Sequence, residues 1–231
     1  MQTPLIIAID GPAGAGKSTV ARALAARLHL PYVDSGATYR AAALKVIESD
    51  VPATDPDEVA GVIDGARIEF VTTDGESRVL LDGRDVTPLI RTRAVTQAAA
   101  LVSRLPGVRR KLVSLQRQLG VGGVVMEGRD IGTVVFPEAK LKIFLEADPH
   151  ERARRRLEQE EGQGHGTSLT QTAEEIRQRD QLDAERKVSP LVPAEDAVRI
   201  DSTSLNAEAV LEQILKLARE RGLIDEIRNA E

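Results

Sequence analysis

Short apolar runs alternate with longer segments of helical composition along this chain. Residues 5–9 form the first apolar run, which stops at Asp10 and Gly11 and predicts a buried strand. A glycine-rich loop comes next, and residues 18–28 then have helical composition. Strand, loop and helix in that order open an α/β fold. Tyr32-Val33 predicts a second strand, Asp34-Ser35-Gly36 a turn, and residues 38–48 a helix. Residues 51–57, punctuated by Pro and Asp, read as a linker. The texture changes over residues 68–86, where alternating apolar positions are broken by Asp74-Gly75 and Asp82-Gly83. That pattern predicts a small antiparallel meander, inserted into the surrounding βα order. Helices are expected over 92–105 and 108–119, split at Pro106-Gly107. Residues 121–126, 141–145 and 198–201 predict further strands. Two polar helices, 149–161 and 172–186, flank the loop Gly162 to Gly166, and an amphipathic helix over 206–221 closes the chain.

Composition narrows what such a fold can do. At 231 residues with 42% hydrophobic and 29% charged positions, the chain is long enough to bury a core without staples. Aromatic residues are only 2%, so little is available to stack bases in the manner of single-strand nucleic-acid binders. The net charge of -5 argues against a general polyanion-binding surface. Cysteine is absent, which excludes disulfides, thiolate nucleophiles and Cys-ligated metals. Residues 1–10 lack a basic stretch leading into a long apolar run, so neither a signal peptide nor a membrane span is expected. Cytoplasm is the expected compartment. The three histidines, His29, His150 and His165, are scattered without ligand spacing.

Candidate chemistry enters at the first loop. Gly11-Pro12-Ala13-Gly14-Ala15-Gly16-Lys17-Ser18 fits G-x-x-x-x-G-K-[ST] in full, between a predicted strand and a predicted helix. Glycines let the backbone wrap close to phosphate oxygens, with N–H groups pointing inward and the helix dipole behind them. Lys17 can reach the β and γ phosphates and Ser18 can ligate Mg²⁺, while Thr19 follows in the same helical turn. This P-loop specifies a nucleoside triphosphate and no more, because switches, motors, ATPases and small-molecule kinases share it. An acceptor that is itself a phosphate needs cations to hold two repelling anions together, and arginine's rigid fork suits that task. Arg40, Arg129, Arg152, Arg155, Arg156, Arg179 and Arg186 stand at loop and helix junctions, several of them beside carboxylates.

Longer motifs decide among P-loop proteins. They are Ile9-Asp10-Gly11 with its loop, Tyr32-Val33-Asp34-Ser35-Gly36 leading to Tyr39-Arg40, and Glu127-Gly128-Arg129-Asp130 followed by Gly132-Thr133-Val134-Val135-Phe136-Pro137. Further on stand Lys142-Ile143-Phe144-Leu145, Arg179-Asp180 through Asp183 and Arg186, and Pro190-Leu191-Val192-Pro193-Ala194. On these residues the chain resembles the bacterial cytidylate kinases along nearly its whole length. The resemblance implies an α/β P-loop core with a parallel sheet and helices on both faces, an inserted nucleoside-monophosphate module and a short lid. Boundaries are expected at 1–35, 120–150 and 187–231 for the core, 36–119 for the module with its β insertion, and 151–186 for the lid and flanking helices. It also implies phosphoryl transfer from Mg-ATP to CMP or dCMP. A monomer is expected because one chain could serve both substrates and no interface helix stands out, and the composition points to no nucleic-acid or membrane partner.

Residue roles follow from the same resemblance. Gly11 to Thr19 would bind ATP, and the charge run beside the Gly162 to Gly166 loop adds Arg152 and Arg156 as expected ATP contacts on position alone. Ser35 and Asp183 would bond the acceptor ribose, and Arg40, Arg129 and Arg186 would hold the acceptor phosphate, with Arg179 near the transferring group. Lys17, Arg129, Arg179 and Arg186 are therefore the expected catalytic set. Asp130 would accept from the cytosine amino group and Arg109 would donate to the base; a site built for a donor disfavours uracil, which lacks it. Ala100 stands where the family often has Ser, and Glu127 where it often has Asp. Transfer would be in line, with no protein nucleophile, and closure of residues 152–166 would exclude water. Competing readings are a kinase for UMP, AMP or another small acceptor and, in a different class, a P-loop switch or nucleic-acid-dependent NTPase.

Overall fold

The computed structural model describes residues 4–73, 76–161, 168–184 and 189–224. Two units divide the chain: residues 1–32 with 122–231, and residues 33–121.

The first unit is built on β1 (Ile6–Asp10), which leads through the glycine loop to α1 (Lys17–Arg27). Lys17, Val20, Ala21, Leu24 and Ala25 are the buried positions of α1, the spacing of one helical face. The strand β2 (Tyr32–Asp34) carries the chain into the second unit. The chain returns at β6, described below, after the second unit's elements.

In residues 33–121, α2 (Ser35–Glu48) comes first, then α3 (Pro56–Asp64), the strands β3 (Ile68–Thr73), β4 (Glu76–Leu81) and β5 (Arg84–Asp85), α4 (Arg93–Val102) and α5 (Pro106–Leu119). Their core gathers Ala41, Ala42, Ala43 and Val46 of α2 with Val59 and Ile63 of α3 and Leu112 of α5. Small alanines let helices approach closely. The expected meander is present as a separate three-stranded sheet in the order β3-β4-β5, antiparallel throughout, with Phe70 opposite Val79 and Leu81 opposite Arg84. Three local expectations need correction. No separate turn stands at 34–36: Asp34 ends β2 and Ser35 already begins α2, because the Asp34 carboxylate accepts from Ala37 N at 3.1 Å and caps the helix. The supposed linker at 51–57 runs into α3, with Asp55 capping the N–H groups of Asp57 and Glu58 and Pro56 at the first helical position. Pro106 likewise opens α5 rather than lying between helices.

The first unit resumes with β6 (Val124–Gly128), a π-helical turn at Ile131–Val135, β7 (Leu141–Glu146), α6 (Pro149–Glu161), α7 (Leu169–Ala184), β8 (Val198–Asp201) and α8 (Ala207–Glu220). One parallel sheet runs β2-β6-β1-β7-β8. In register, Asp10 lies level with Gly128 and Phe144, so β1 and β6 end together and β7 runs two residues further, to Glu146. Ligands bind at such an edge in open α/β sheets. All five residues of β6 are buried, as are Ile7, Ala8 and Ile9, which marks strands covered on both faces. Val210, Leu211, Ile214 and Leu215 of α8 join Val20 and Leu24 of α1 in the core with Ile7, Ile9 and Ile143. The glycine loop at 162–166 and Arg186 lie outside the described residues. Among the described residues no helix is long and apolar enough to cross a membrane.

Candidate active site

The glycine loop owes its path to residues that tolerate positive φ: Gly11 at 147°, Gly14 at 77° and Gly16 at 90°. At Gly11 an added Cβ would lie 2.1 Å from the Leu145 carbonyl oxygen, so the loop is pressed directly onto β7. Gly16 then opens α1 without any side-chain cap, and no acidic residue stands in the first turn. Those backbone N–H groups and the dipole are left for an anion. Ser18 and Thr19 are exposed in that same turn.

Lys17 is buried, and its Nζ donates to the Pro12 carbonyl at 2.7 Å. Burial pulls its pKa down to about 7, and the neighbouring positive charges of Arg129 and Arg179 act in the same direction against Glu127 and Asp10. The loop lysine therefore sits in a field with positive charge in excess, which a phosphate would relieve. Glu127, itself buried, is held by the Tyr32 hydroxyl at 2.7 Å, and Arg22 lies over the Tyr32 ring at 5.2 Å.

Beyond β6 the expected acceptor residues are arranged around one carboxylate that the sequence reading gave no role. Asp10, 5% exposed, accepts from Ile131 N at 2.8 Å and Gly132 N at 2.7 Å. This fixes the π-helical turn directly after Arg129 and Asp130. Burial raises the Asp10 carboxyl to about 6 despite those two bonds, and the nearby Asp130 charge adds to the rise. Asp130 is buried; its backbone carbonyl accepts from Val134 and Val135, and its side chain makes no capping bond. Arg129 pairs with Asp183 at 2.9 Å, so two residues expected at different parts of the acceptor are joined to each other. Arg179 is exposed on α7 and Arg156 on α6, whereas Arg152 is buried against the loop.

A cleft of about 490 Å³ lies beside Gly16 and Thr19, with Val20 and Val210 among its apolar lining and Arg155, Ser202 and Asn206 among its polar lining. The loop after β8 that supplies Ser202 and Asn206 was not singled out from sequence. Its polar run Ser202-Thr203-Ser204 directly after a strand was the available signal.

Within residues 33–121, Ser35 and Arg40 stand on the first two turns of α2. Ser35 is buried and its carbonyl accepts from the Thr38 hydroxyl at 2.6 Å. Arg40 pairs with Asp34 at 2.6 Å, and its Nε is buried without a hydrogen-bond partner. Arg109 of α5, 4% exposed, lies over the Tyr39 ring at 5.5 Å and donates to the Ser103 carbonyl at 3.4 Å. Ala100 is exposed on α4, and its carbonyl accepts from the Ser103 hydroxyl at 3.2 Å. Ser103 thus meets Arg109 through its carbonyl and the Ala100 carbonyl through its hydroxyl.

The sequence profile of the cytidylate kinases matches residues 7–220. The chain belongs to the cytidylate kinase family. It is 51% identical over 211 residues to the cytidylate kinase of Pelotomaculum thermopropionicum, covering 90% of this chain and 93% of that one. It is also 50% identical over 226 residues to the bifunctional pantoate ligase/cytidylate kinase of Synechococcus elongatus, covering 95% of this chain and 43% of that protein. Among solved structures, an uncharacterized protein from Eubacterium ventriosum shares the fold at a TM-score of 0.50 and 13% identity, over 93% of this chain and 98% of that one. The P-loop after β1 and the segment after β6 stand on neighbouring strand ends, and Glu127 keeps its place through Tyr32.

Proposed function

We propose that this chain transfers the γ-phosphoryl group of ATP to the phosphate of CMP, with dCMP as a second acceptor, as a monomer in the cytoplasm. Family membership supports the reaction, and the cysteine-free sequence suits a reducing compartment. The observation that carries the assignment to this site is Lys17, buried at an uncapped helix start with the charges of Arg129 and Arg179 around it. That arrangement selects polyphosphate.

Gly11 to Thr19 would cradle the triphosphate, and the cleft bordered by Ser202 and Asn206 has the size for the donor nucleoside. The loop fits Mg²⁺ only as a partner of the phosphates. Ser18 is exposed at the right helix turn, but among the described residues no three His, Cys, Asp or Glu side chains gather to hold a metal. When bound, Mg²⁺ supplies charge neutralisation at the phosphate oxygens. Arg152 and Arg156 are assigned to the donor side as well. Ser35, Arg40, Arg109, Arg129, Asp130, Asp183 and Arg186 are assigned to the acceptor. Asp130 would accept from the cytosine amino group, and Arg109 would donate to the base's ring nitrogen or carbonyl.

A phosphate monoester is largely ionised at neutral pH, so no side chain has to remove a proton. Lys17 follows the charge: it leaves the Pro12 carbonyl for the phosphates, and their negative charge restores its protonated form. Arg129, Arg179 and Arg186 stabilise charge on the transferring group. ADP release measured with Mg-ATP against CMP, dCMP, UMP, AMP and shikimate tests the reading, with Lys17→Met as the blank. Turnover strongest on CMP and dCMP is expected. Turnover strongest on another acceptor would retain the kinase and remove the cytosine assignment.

A further inference from the structure

Two arginines of α6 turn inward: Arg152 ends on a carbonyl of the phosphate loop, and Arg155 on Ser202, which in turn lies against that loop. Arg152, 8% exposed, donates from Nη1 to the Ala13 carbonyl at 3.1 Å and to Asp180, and from Nε to the Ala147 carbonyl at 3.1 Å. Asp180 in turn lies 3.5 Å from Ala13 N, so both polar groups of Ala13 face the one ion pair. The α6 backbone itself abuts the loop: a Cβ on Gly14 would meet the Arg152 carbonyl oxygen at 2.6 Å. One helical turn on, Arg155 donates to the Ser202 hydroxyl at 3.0 Å and the Ser202 carbonyl at 2.6 Å. The single proton of the Ser202 hydroxyl faces two carbonyls, Glu146 at 2.9 Å and Ala15 of the loop at 3.1 Å. Alternate carbonyls of the loop, Ala13 and Ala15, are thereby held from the side of α6.

A trans peptide points its C=O and N–H in opposite directions. Fixing the Ala13 and Ala15 carbonyls toward α6 therefore fixes the N–H groups of Gly14 and Gly16 away from it. Given the ATP-binding reading above, on which this rests, we infer that Arg152 with Asp180, and Arg155 through Ser202, are positioning residues. They set the loop's peptide planes so that Gly14 and Gly16 N–H face the donor phosphates. Arg152 then acts on ATP through the loop and not by touching the γ-phosphate. A free loop would have to adopt those planes on binding, and affinity would fall accordingly.

The two roles for Arg152 separate in calorimetric titrations of the full chain with a non-hydrolysable ATP analogue and with ADP, alongside KM for CMP. Arg152→Met is expected to weaken the analogue and ADP by equal factors, on the order of ten- to a hundredfold, the effect of one charged hydrogen bond. KM for CMP should stay within about twofold, since the acceptor groups do not touch Ala13. Asp180→Asn, which keeps an oxygen for Ala13 N but loses the ion pair, is expected to weaken both ligands by a smaller factor. Loss confined to the ATP analogue with ADP unaffected would overturn the inference in favour of direct γ-phosphate contact. So would tighter binding by Asp180→Asn, because a released Arg152 would then be reaching the ligand. Parallel loss of ATP and CMP affinity would show a general structural role and overturn it as well. Should Arg152→Met not fold, Arg152→Lys and Asp180→Asn give the same comparison. Wild-type titration reports ATP binding without any turnover, so a failed CMP assay and a failed positioning role give different results.

Discussion

The glycine loop and the Asp34 turn each take the chain from a strand into a helix, yet they dispose of the helix start in opposite ways. At α1 the start is Gly16, with no side-chain cap and no acid in the first turn. At α2 the start is Asp34, whose carboxylate caps Ala37 N and grips Arg40 six residues on. The first turn leaves its N–H groups and dipole to a ligand. The second satisfies them from within the chain and uses the same carboxylate to hold a cation in place. A strand-to-helix turn becomes a phosphate site when the chain declines to cap it, and a scaffold for side chains when it does not.

Lys17→Met breaks the first turn most severely. The cation at the uncapped helix start disappears, and kcat is expected to fall by about a thousandfold, the upper range for losing one preorganised donor to developing charge. Stability should move the other way at low pH. The folded-state pKa of Lys17 is lowered from 10.5 to about 7. Between those values the unfolded chain binds the extra proton, so the group's contribution to stability rises with pH across the window. Below about 7 the full cost of a buried ammonium is present. Urea midpoints at pH 6 and pH 9 should show the variant gaining more over wild type at pH 6.

Asp10→Asn tests whether the loop and the turn at Ile131 work as one piece. The amide can accept only one of the two N–H groups and turns its own NH₂ toward the other. Loss of one such buried bond predicts a fall in kcat of about tenfold or more. The pH signature is specific. With the folded carboxyl raised from 3.8 to about 6, the folded state binds the extra proton in that window, and stability falls as pH rises through it. The asparagine variant should lack that component in denaturation midpoints measured between pH 4 and 6.5. An unchanged pH slope would show that Asp10 does not titrate there.

The difference between these two residues also explains how much could be read from sequence. The loop motif is local: eight consecutive residues fix backbone geometry, so Gly11 to Ser18 were legible at once. The strands at 5–9 and 141–145 were legible too, as apolar runs too short for a helix, and 198–201 through the apolar-polar alternation of Val-Arg-Ile-Asp, a strand with half its residues exposed. Asp10 was printed in the sequence beside the loop, but its role depends on a turn more than 100 residues away, at Gly132. The same holds for Arg152 with Asp180 and for Arg155 with Ser202: each pairing is tertiary, and a charge run on a polar helix gives no sign of which arginines turn inward. Asp34 and Asp55 were a different kind of miss. Both caps are local, and Asp-Pro before Asp-Glu is a helix start that was taken for a break.

Asp34→Asn removes the anchor from the second turn. Burial alone would raise the Asp34 carboxyl, but Arg40 beside it, with Arg91 and the Ala37 N–H, holds it below its ordinary value. A depressed carboxyl contributes stability above the unfolded value of 3.8 and loses it as pH falls through the folded value. The variant should therefore be less stable than wild type at pH 7, by about 1 kcal/mol for a weakened cap and pair, with the gap closing on acidification. If Arg40 holds the acceptor phosphate, KM for CMP should rise severalfold while KM for ATP stays put. A rise in both would move Arg40 out of the acceptor site.

The smallest effect belongs to Arg154, and it sharpens the contrast within one helix. Arg154 lies between Arg152 and Arg155 in sequence but is half exposed at the rim of the cleft, pairing with Glu151 and Glu158 along the α6 surface. Exposed pairs of this kind contribute little, since water screens them and two long side chains must be ordered to form them. Its neighbour Glu151 also holds Arg155 at 2.7 Å, so removing Arg154 leaves that carboxylate with a partner. Arg154→Ala should leave kcat and both KM values unchanged and should not measurably shift the melting temperature at moderate salt. A clear rise in the ATP KM would mean that charge density on α6, rather than the bonds from Arg152 to the loop and from Arg155 to Ser202, governs donor binding. Salt provides the check, because an effect of charge density would fade between 50 and 500 mM while direct bonds to the Ala13 carbonyl and Ser202 would not.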